Sequence, residues 1–199
     1  HLSIRRQRQM CIRDSNTDAY QPVEREQKIT RSVLEVLSAH RHPVSIITKS
    51  ALIERDIDIL APMAGAGLVK VFMSVTTLDR ELSRRLEPRA AAPQRRLETV
   101  QRLQQAGIPV GALMAPIIPV LNDHEIENLL GCCADAGAES AGYVILRLPH
   151  EIRELFQQWL QEHYPLRAEH VMNRVRDLRG GREYRSEFGE RMRGRGQYA

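Results

Sequence analysis

Residues 44–50, VSIITKS, form a short run of apolar and β-branched residues that turns polar at Thr48, Lys49 and Ser50. Read with residues 68–75, LVKVFMSV, it decides the fold. Runs this short and this continuously apolar suit strands buried on both faces, and the first predicts a strand over Val44–Thr48. Outward from it the periodicity is helical. Upstream, Pro22 suits a first helical turn, Val23, Ile29, Val33, Val36 and Leu37 supply one apolar face, and Pro43 blocks continuation. Between the two runs, Leu52, Ile53, Ile57 and Leu60 make a second helical face. Downstream, residues 93–106 carry Leu97, Val100 and Leu103 at helical spacing and stop at Gly107, the residue best suited to a left-handed cap. Residues 109–115 give a third strand. Asn122 or Asp123 then caps a helix with Ile126, Leu129, Leu130 and Cys133, ended by Gly137, and residues 141–148 (AGYVILRL) give a fourth strand.

Strands alternating with helices imply parallel pairing, because parallel neighbours need a crossover. The fold class is therefore α/β, either an open doubly wound sheet or part of a (β/α) barrel, with function expected at the strand C-terminal ends in both. With 199 residues the chain is too short for a complete eight-stranded barrel. A composition of 42% hydrophobic and 27% charged residues permits a packed core and argues against global disorder. Residues 1–15 have neither period and are read as a tail, non-native or disordered. Residues 16–149 are read as the sheet-forming part. Residues 150–199 are read as a helical, Arg- and Gly-rich extension, with Ile152, Leu155, Phe156, Trp159 and Leu160 on one helix and Val171, Met172, Val175 and Leu178 on another.

The charge balance excludes less than its pI suggests. Of the 29 basic residues only Lys28, Lys49 and Lys70 are lysine, and Arg5, Arg6, Arg8 and Arg13 cluster in the tail. The basic excess is thus weak support for a nucleic-acid partner. Cys11, Cys132 and Cys133 cannot make a disulfide framework, which points to a reducing cytoplasm. The longest apolar stretch, residues 107–121, is broken by Pro109, Pro116 and Pro119, so no membrane span is expected.

The polar residues that end the strands are the candidates for chemistry. Lys49, directly after a buried strand in a chain nearly free of lysine, leads them. It could clamp a carboxylate or phosphate, act as a Schiff-base nucleophile if desolvated, or be a solvated loop residue. Ser74 could offer its hydroxyl to a ribose or carboxylate, or cap a local turn near Thr77 and Asp79. Ala115 and Ile117 flank Pro116 where backbone groups could hold an aromatic base, or simply form a stiffened loop. Glu87 and Arg89, in LEPRAAAP, could pair together or face the cavity. Cys132 and Cys133 are adjacent on a helix, so their side chains diverge by roughly 100° and serve core packing better than a metal. There is no G-x-G-x-x-G, P-loop or H-E-x-x-H.

Taken together, NTDAYQPVEREQKITRSVLEVL (residues 16–37), VSIITKS, VFMSVTTLD (71–79), LEPRAAAPQRRLETVQRLQQAGIPV (86–110), APIIPVLND (115–123) and YVILRLP (143–149) resemble the radical S-adenosylmethionine family. Within it the sequence is similar to the spore photoproduct lyase-like group, often labelled DNA repair photolyase. The resemblance implies a partial (β/α) barrel of radical SAM type, N-terminally truncated. It also implies a lyase-like enzyme that cleaves S-adenosylmethionine at a [4Fe-4S] cluster and abstracts hydrogen through a 5′-deoxyadenosyl radical. DNA is the implied substrate, and flavodoxin or ferredoxin the kind of reductant implied. By the same resemblance Lys49 matches the position that holds the cofactor's carboxylate, Ser74 its ribose and Ala115 the backbone beside its adenine. Thr17, Asp18 and Tyr20 match positions near its amino group, although Ala19 stands where related sequences usually have proline. The family's Cys-x3-Cys-x2-Cys motif is absent. Its expected place is upstream of Asn16 in the complete protein, and this piece alone is expected to be inactive.

Two other readings remain open on the residues. One is a (β/α)-barrel lyase or aldolase with Lys49 as Schiff base. The other is a nucleic-acid-binding module carried by the Arg and Gly tail, with Tyr184 or Phe188 stacking on bases.

Overall fold

A computed structural model of the chain describes the backbone of Met10–Ile12 and residues 18–181. Five strands form one sheet in the order β1-β2-β3-β4-β5: β1 Met10–Ile12, β2 Val44–Thr48, β3 Val69–Ser74, β4 Val110–Ile117 and β5 Ser140–Ile145. The pairs β1–β2, β2–β3 and β3–β4 are parallel, with Val44 opposite Val69 and Val71 opposite Val110. Spatial order follows sequence order without reversal. A doubly wound sheet turns back on itself at a switch point, so this order selects the barrel-type alternative.

The connections are helical. A single turn, Glu24–Gln27, precedes α1 (Ile29–Ala39), and a 3-10 segment (Ala51–Asp56) leads into α2 (Ile57–Gly65). After β3 come α3 (Arg80–Leu86) and α4 (Pro93–Gln105), and after β4 comes α5 (Ile126–Asp135). Helices α6 (Ile152–His163) and α7 (Pro165–Asp177) follow β5. Left-handed Gly107 (φ 73°) and Gly137 (φ 98°) end α4 and α5 as the sequence predicts.

The chain divides into two compact units, residues 1–113 with 129–142, and residues 114–128 with 143–199. In the first, Ile46, Val71, Met73, Leu103, Val110 and Ala112 are buried and form the core around the strands. In the second, Phe156 and Leu160 of α6 are buried, as are Val171, Met172 and Val175 of α7. Phe156 stacks on Trp159 with ring centroids 5.6 Å apart. The buried Arg179 donates to the Leu146 carbonyl at 2.9 Å.

Several expectations are corrected here. Within the expected tail, Met10–Ile12 is a strand paired with β2. An apolar run of three residues is too short to stand out against its Arg and Gln flanks. The division into a sheet part ending at residue 149 and an extension beyond it also shifts. The unit boundaries fall inside β4 and β5, and in the second unit Arg179, two residues beyond α7, holds the Leu146 carbonyl just after β5. The Arg- and Gly-rich segment from residue 182 onward, like the rest of residues 1–9 and 13–17, lies outside the described residues. The expected helix from Pro22 is interrupted at Lys28, which is left-handed (φ 53°). Its predicted apolar face is turned outward, with Ile29 and Val36 each 59% exposed while Leu34 is fully buried. The local hydrogen bonds account for this. Thr30 donates its hydroxyl to the Ala19 carbonyl at 2.6 Å and its N–H to Glu24 Oε2 at 3.0 Å, which fixes the rotation of α1.

Candidate functional site

The turn after β2 is held by a carboxylate that arrives from upstream in the sequence. Asp18 Oδ1 accepts the Thr48 hydroxyl at 2.6 Å and the Tyr20 N–H at 2.8 Å, and Oδ2 accepts the Lys49 N–H at 2.7 Å. Thr48 Oγ1 in turn accepts the Ser50 N–H at 3.0 Å, and Ser50 Oγ accepts the Leu52 N–H at 3.2 Å, capping the 3-10 segment. The backbone of Lys49 is therefore pinned on both sides while its side chain stays free to project.

That side chain reaches Glu87, with Nζ 2.6 Å from Oε1. The same oxygen accepts the Thr76 hydroxyl at 3.1 Å, and Oε2 accepts Arg96 Nη2 at 2.6 Å. Arg96 is 1% exposed and spends its other donors on backbone carbonyls, Ser74 at 3.0 Å and Ala91 at 2.7 Å. One arginine thus joins the end of β3 to the loop between α3 and α4. Burial alone would raise the Glu87 pKa, but the charges and hydrogen bonds of Arg96 and Lys49 outweigh it and hold the carboxyl below its ordinary range. A buried carboxylate between two cations stays ionised, and the Lys49–Glu87–Arg96 cluster carries a net charge of about +1.

A cleft of about 740 Å³ opens beside Lys49, the one member of this cluster that lines it, together with Asp18, Tyr20, Ser50 and Arg89 among others. Arg89 faces the cleft instead of pairing with Glu87, which settles the alternative left open by the sequence. On the other side Arg95 is tied to Glu54, Nη1 to Oε1 at 2.7 Å and Nη2 to Oε2 at 2.8 Å. Glu54 also receives Thr99 and Arg102, and these partners keep its carboxyl below the usual value against the opposing effect of burial.

The remaining sequence candidates fall in different places. Tyr20 lines the cleft, but its hydroxyl donates to Asp56 Oδ2 at 3.0 Å. Burial first, then the adjacent Asp56 charge, pushes its phenol far above the ordinary value. Ser74 is buried with its carbonyl engaged by Arg96, and it does not line the cleft. Thr17 lies outside the described residues. Ala115 belongs to the second unit, where it precedes the cis Pro116. There, Asn122 Oδ1 accepts the Ile118 N–H at 2.6 Å and its Nδ2 donates to the Pro116 carbonyl at 3.1 Å, so Asn122 shapes the loop after β4. Sequence reasoning missed Glu87 as the counter-ion of Lys49 and missed Arg96 altogether. The one available signal was that LEPRAAAPQRR places an acid and several arginines directly after strand-end residues.

Among the described residues no group of three His, Cys, Asp or Glu side chains could hold a metal ion. Cys133 is 2% exposed, and burial, with a smaller contribution from Cys132, pushes its thiol up to about 11. At pH 8 a thiol reagent should therefore add once, at Cys132, to the peptide carrying both cysteines. A second addition should require denaturant, as read by mass spectrometry. Equal rates at the two thiols would contradict the buried placement. Among the described residues no helix is long and apolar enough to cross a membrane.

Comparison with known proteins adds a family. The model described as the Radical SAM superfamily matches residues 13–133. An uncharacterized protein of Mycobacterium tuberculosis is 32% identical over 166 residues, covering 82% of this chain and 48% of its own length. An uncharacterized protein of Methanocaldococcus jannaschii is 28% identical over 161 residues, covering 81% of this chain and 59% of its own. The chain thus spans about half the length of the curated relatives it matches. Among solved structures, the crystal structure of Streptococcus suis SuiB bound to S-adenosylmethionine aligns with a TM-score of 0.48 at 15% identity, over 66% of this chain and 31% of that one.

Proposed function

From the premise that this chain belongs to the radical SAM superfamily, we propose that the cleft beside Lys49 receives the amino-acid end of S-adenosylmethionine, with the Lys49 ammonium facing its carboxylate. The observation that carries this reading is the placement of Lys49. A cation stands at the C-terminal end of a parallel strand, its backbone fixed by Asp18, on the wall of a cleft of mixed polar and apolar lining, large enough for a nucleoside amino acid. When bound, S-adenosylmethionine supplies the adenosyl group from which the family's hydrogen abstraction proceeds. The chain's own residues bind and orient it. Lys49 offers an ammonium charge, Ser50 a hydroxyl, and Arg89 a guanidinium at the wall. The described residues do not fit a [4Fe-4S] cluster, since they offer no set of three thiolates.

The finer reading is a photoproduct lyase-like reaction on DNA, with hydrogen abstracted from a nucleotide and an electron supplied by a flavodoxin or ferredoxin. It is supported by the blocks of sequence quoted above. The Schiff-base alternative loses ground, because Lys49 is 36% exposed and ion-paired at 2.6 Å rather than enclosed in the apolar pocket that favours a neutral amine.

The test is reductive turnover by the complete reading frame. Methionine and 5′-deoxyadenosine should form in equal amounts, and Lys49→Ala should reduce the rate by at least about tenfold through a raised KM for S-adenosylmethionine, as expected for loss of a charge-assisted contact. Absence of 5′-deoxyadenosine from the unsubstituted protein would overturn the reading.

A further inference from the structure

We infer that Glu87 is a resident counter-anion that an incoming carboxylate displaces from Lys49, so that Glu87 sets how strongly the cleft holds an anionic ligand. The inference rests on the cofactor reading above and adds to it a residue which does not itself line the cleft.

Three features carry it. The first is the unequal grip on Glu87. Arg96 is enclosed and committed to two backbone carbonyls besides the carboxylate, and Thr76 is 4% exposed. Lys49 alone among the partners of Glu87 is 36% exposed, on a flexible four-carbon stem. The second is what remains after Lys49 swings away. Glu87 keeps Arg96 on Oε2 and the Thr76 hydroxyl on Oε1, so no buried charge is left without a partner and the exchange avoids the large penalty of breaking a buried ion pair. The carboxylate of Asp56 is different. All of it is enclosed, and no partner could leave it for a ligand without unpacking the segment around it. The third is the charge at the opening. The cluster of Lys49, Glu87 and Arg96 has a net charge of about +1, which a single carboxylate neutralises. Arg89 lines the same cleft and has no ion-pair partner among the described residues, so a second cation faces the ligand as Lys49 changes partner.

The consequence is a sign that ordinary loop support would not produce. With Glu87 present, a ligand carboxylate must compete for Lys49. With a neutral isostere in its place, the competition is gone and the anion should bind more tightly. A ligand of the same shape without a carboxylate should not respond.

The experiment measures binding of S-adenosylhomocysteine, which carries the amino-acid carboxylate, and of 5′-methylthioadenosine, which lacks it, by calorimetry on the whole chain. Glu87→Gln should tighten S-adenosylhomocysteine about fivefold, the effect of removing one partly exposed ion pair, and leave 5′-methylthioadenosine within about twofold. Lys49→Met should weaken S-adenosylhomocysteine by about tenfold or more, leave 5′-methylthioadenosine unchanged and leave the urea midpoint in place, because Glu87 retains Arg96 and Thr76. This second variant decides the matter if Glu87→Gln does not fold. Weaker binding of both nucleosides by Glu87→Gln would make Glu87 a loop support and overturn the inference, as would a large fall in the urea midpoint of Lys49→Met. If the unsubstituted chain binds S-adenosylhomocysteine and neither substitution changes that, the inference fails while the cofactor reading stands. If it binds neither nucleoside, both fail.

Discussion

Arg96→Met should lower the stability of the first unit by about 3–5 kcal/mol, the range found when one partner of a buried ion pair is removed. Methionine matches the length of the arginine stem but supplies none of its donors. The Ser74 and Ala91 carbonyls lose the partners at 3.0 and 2.7 Å, and Glu87 loses the enclosed guanidinium at 2.6 Å. Of these losses the carboxylate matters most, since burial disfavours its charged form and only Lys49 and Thr76 remain to offset that. Adding Glu87→Gln to Arg96→Met should therefore recover part of the loss, a non-additivity readable in urea midpoints. A double variant no more stable than Arg96→Met would mean that the carbonyl contacts, not the charge, carry the effect. The same carboxylate gives a pH signature. Its folded pKa lies below the unfolded value, so its contribution is present above the ordinary glutamate range and is lost as pH falls through the depressed folded value. Glu54 behaves in the same sense. The unsubstituted chain should lose stability on acidification below about pH 4.5. Glu87→Gln should show a shallower acid limb.

What could be read from the sequence was whatever depends on local pattern. The strand Val44–Thr48 falls where the run VSIITKS places it, with Val44, Ile46 and Thr48 buried and Ser45 and Ile47 half-buried, as suits a mostly apolar strand covered on both faces. Helix α4 ends at Gly107 because few other residues adopt that left-handed cap readily. Helix α3 was not legible: its RELSRRL carries apolar side chains only at Leu82 and Leu86, and Asp79 starts it by accepting the N–H groups of Glu81 and Leu82. The rotation of α1 was misread because exposed valines and isoleucines mimic a buried stripe, whereas the true orientation is set by Thr30 and Leu34. Lys49 stood out as a rare lysine after a strand. Its partner did not, because the contact between Lys49 and Glu87 depends on how the loop after α3 returns over the strand ends, and Arg96, which fixes that return, looks in sequence like any arginine on an amphipathic helix.

Asp56→Asn should be as damaging as the loss of Arg96, for a related reason. The Asp56 carboxylate is completely enclosed and accepts four hydrogen bonds: from the Tyr20 hydroxyl at 3.0 Å, Arg31 at 3.1 Å, and Arg55 through Nε at 2.8 Å and Nη2 at 2.9 Å. An asparagine oxygen can keep one or two of these, but its amide nitrogen is a donor and would face another donor on one side. The expected cost is about 3–5 kcal/mol. Asp58→Asn is the informative control. That carboxylate also meets Arg31, at 2.7 Å, yet it is 61% exposed, and its loss should leave the urea midpoint essentially unmoved. A comparable fall in both variants would show that surface pairing with Arg31 matters and that burial of Asp56 does not. The loss at Asp56 should also reach the cleft. Tyr20 is anchored by Asp56 and sits two residues from Asp18, whose oxygens hold the Thr48 hydroxyl and the Lys49 backbone. Asp56→Asn should therefore weaken S-adenosylhomocysteine binding even under conditions where the variant remains folded, and Asp58→Asn should not.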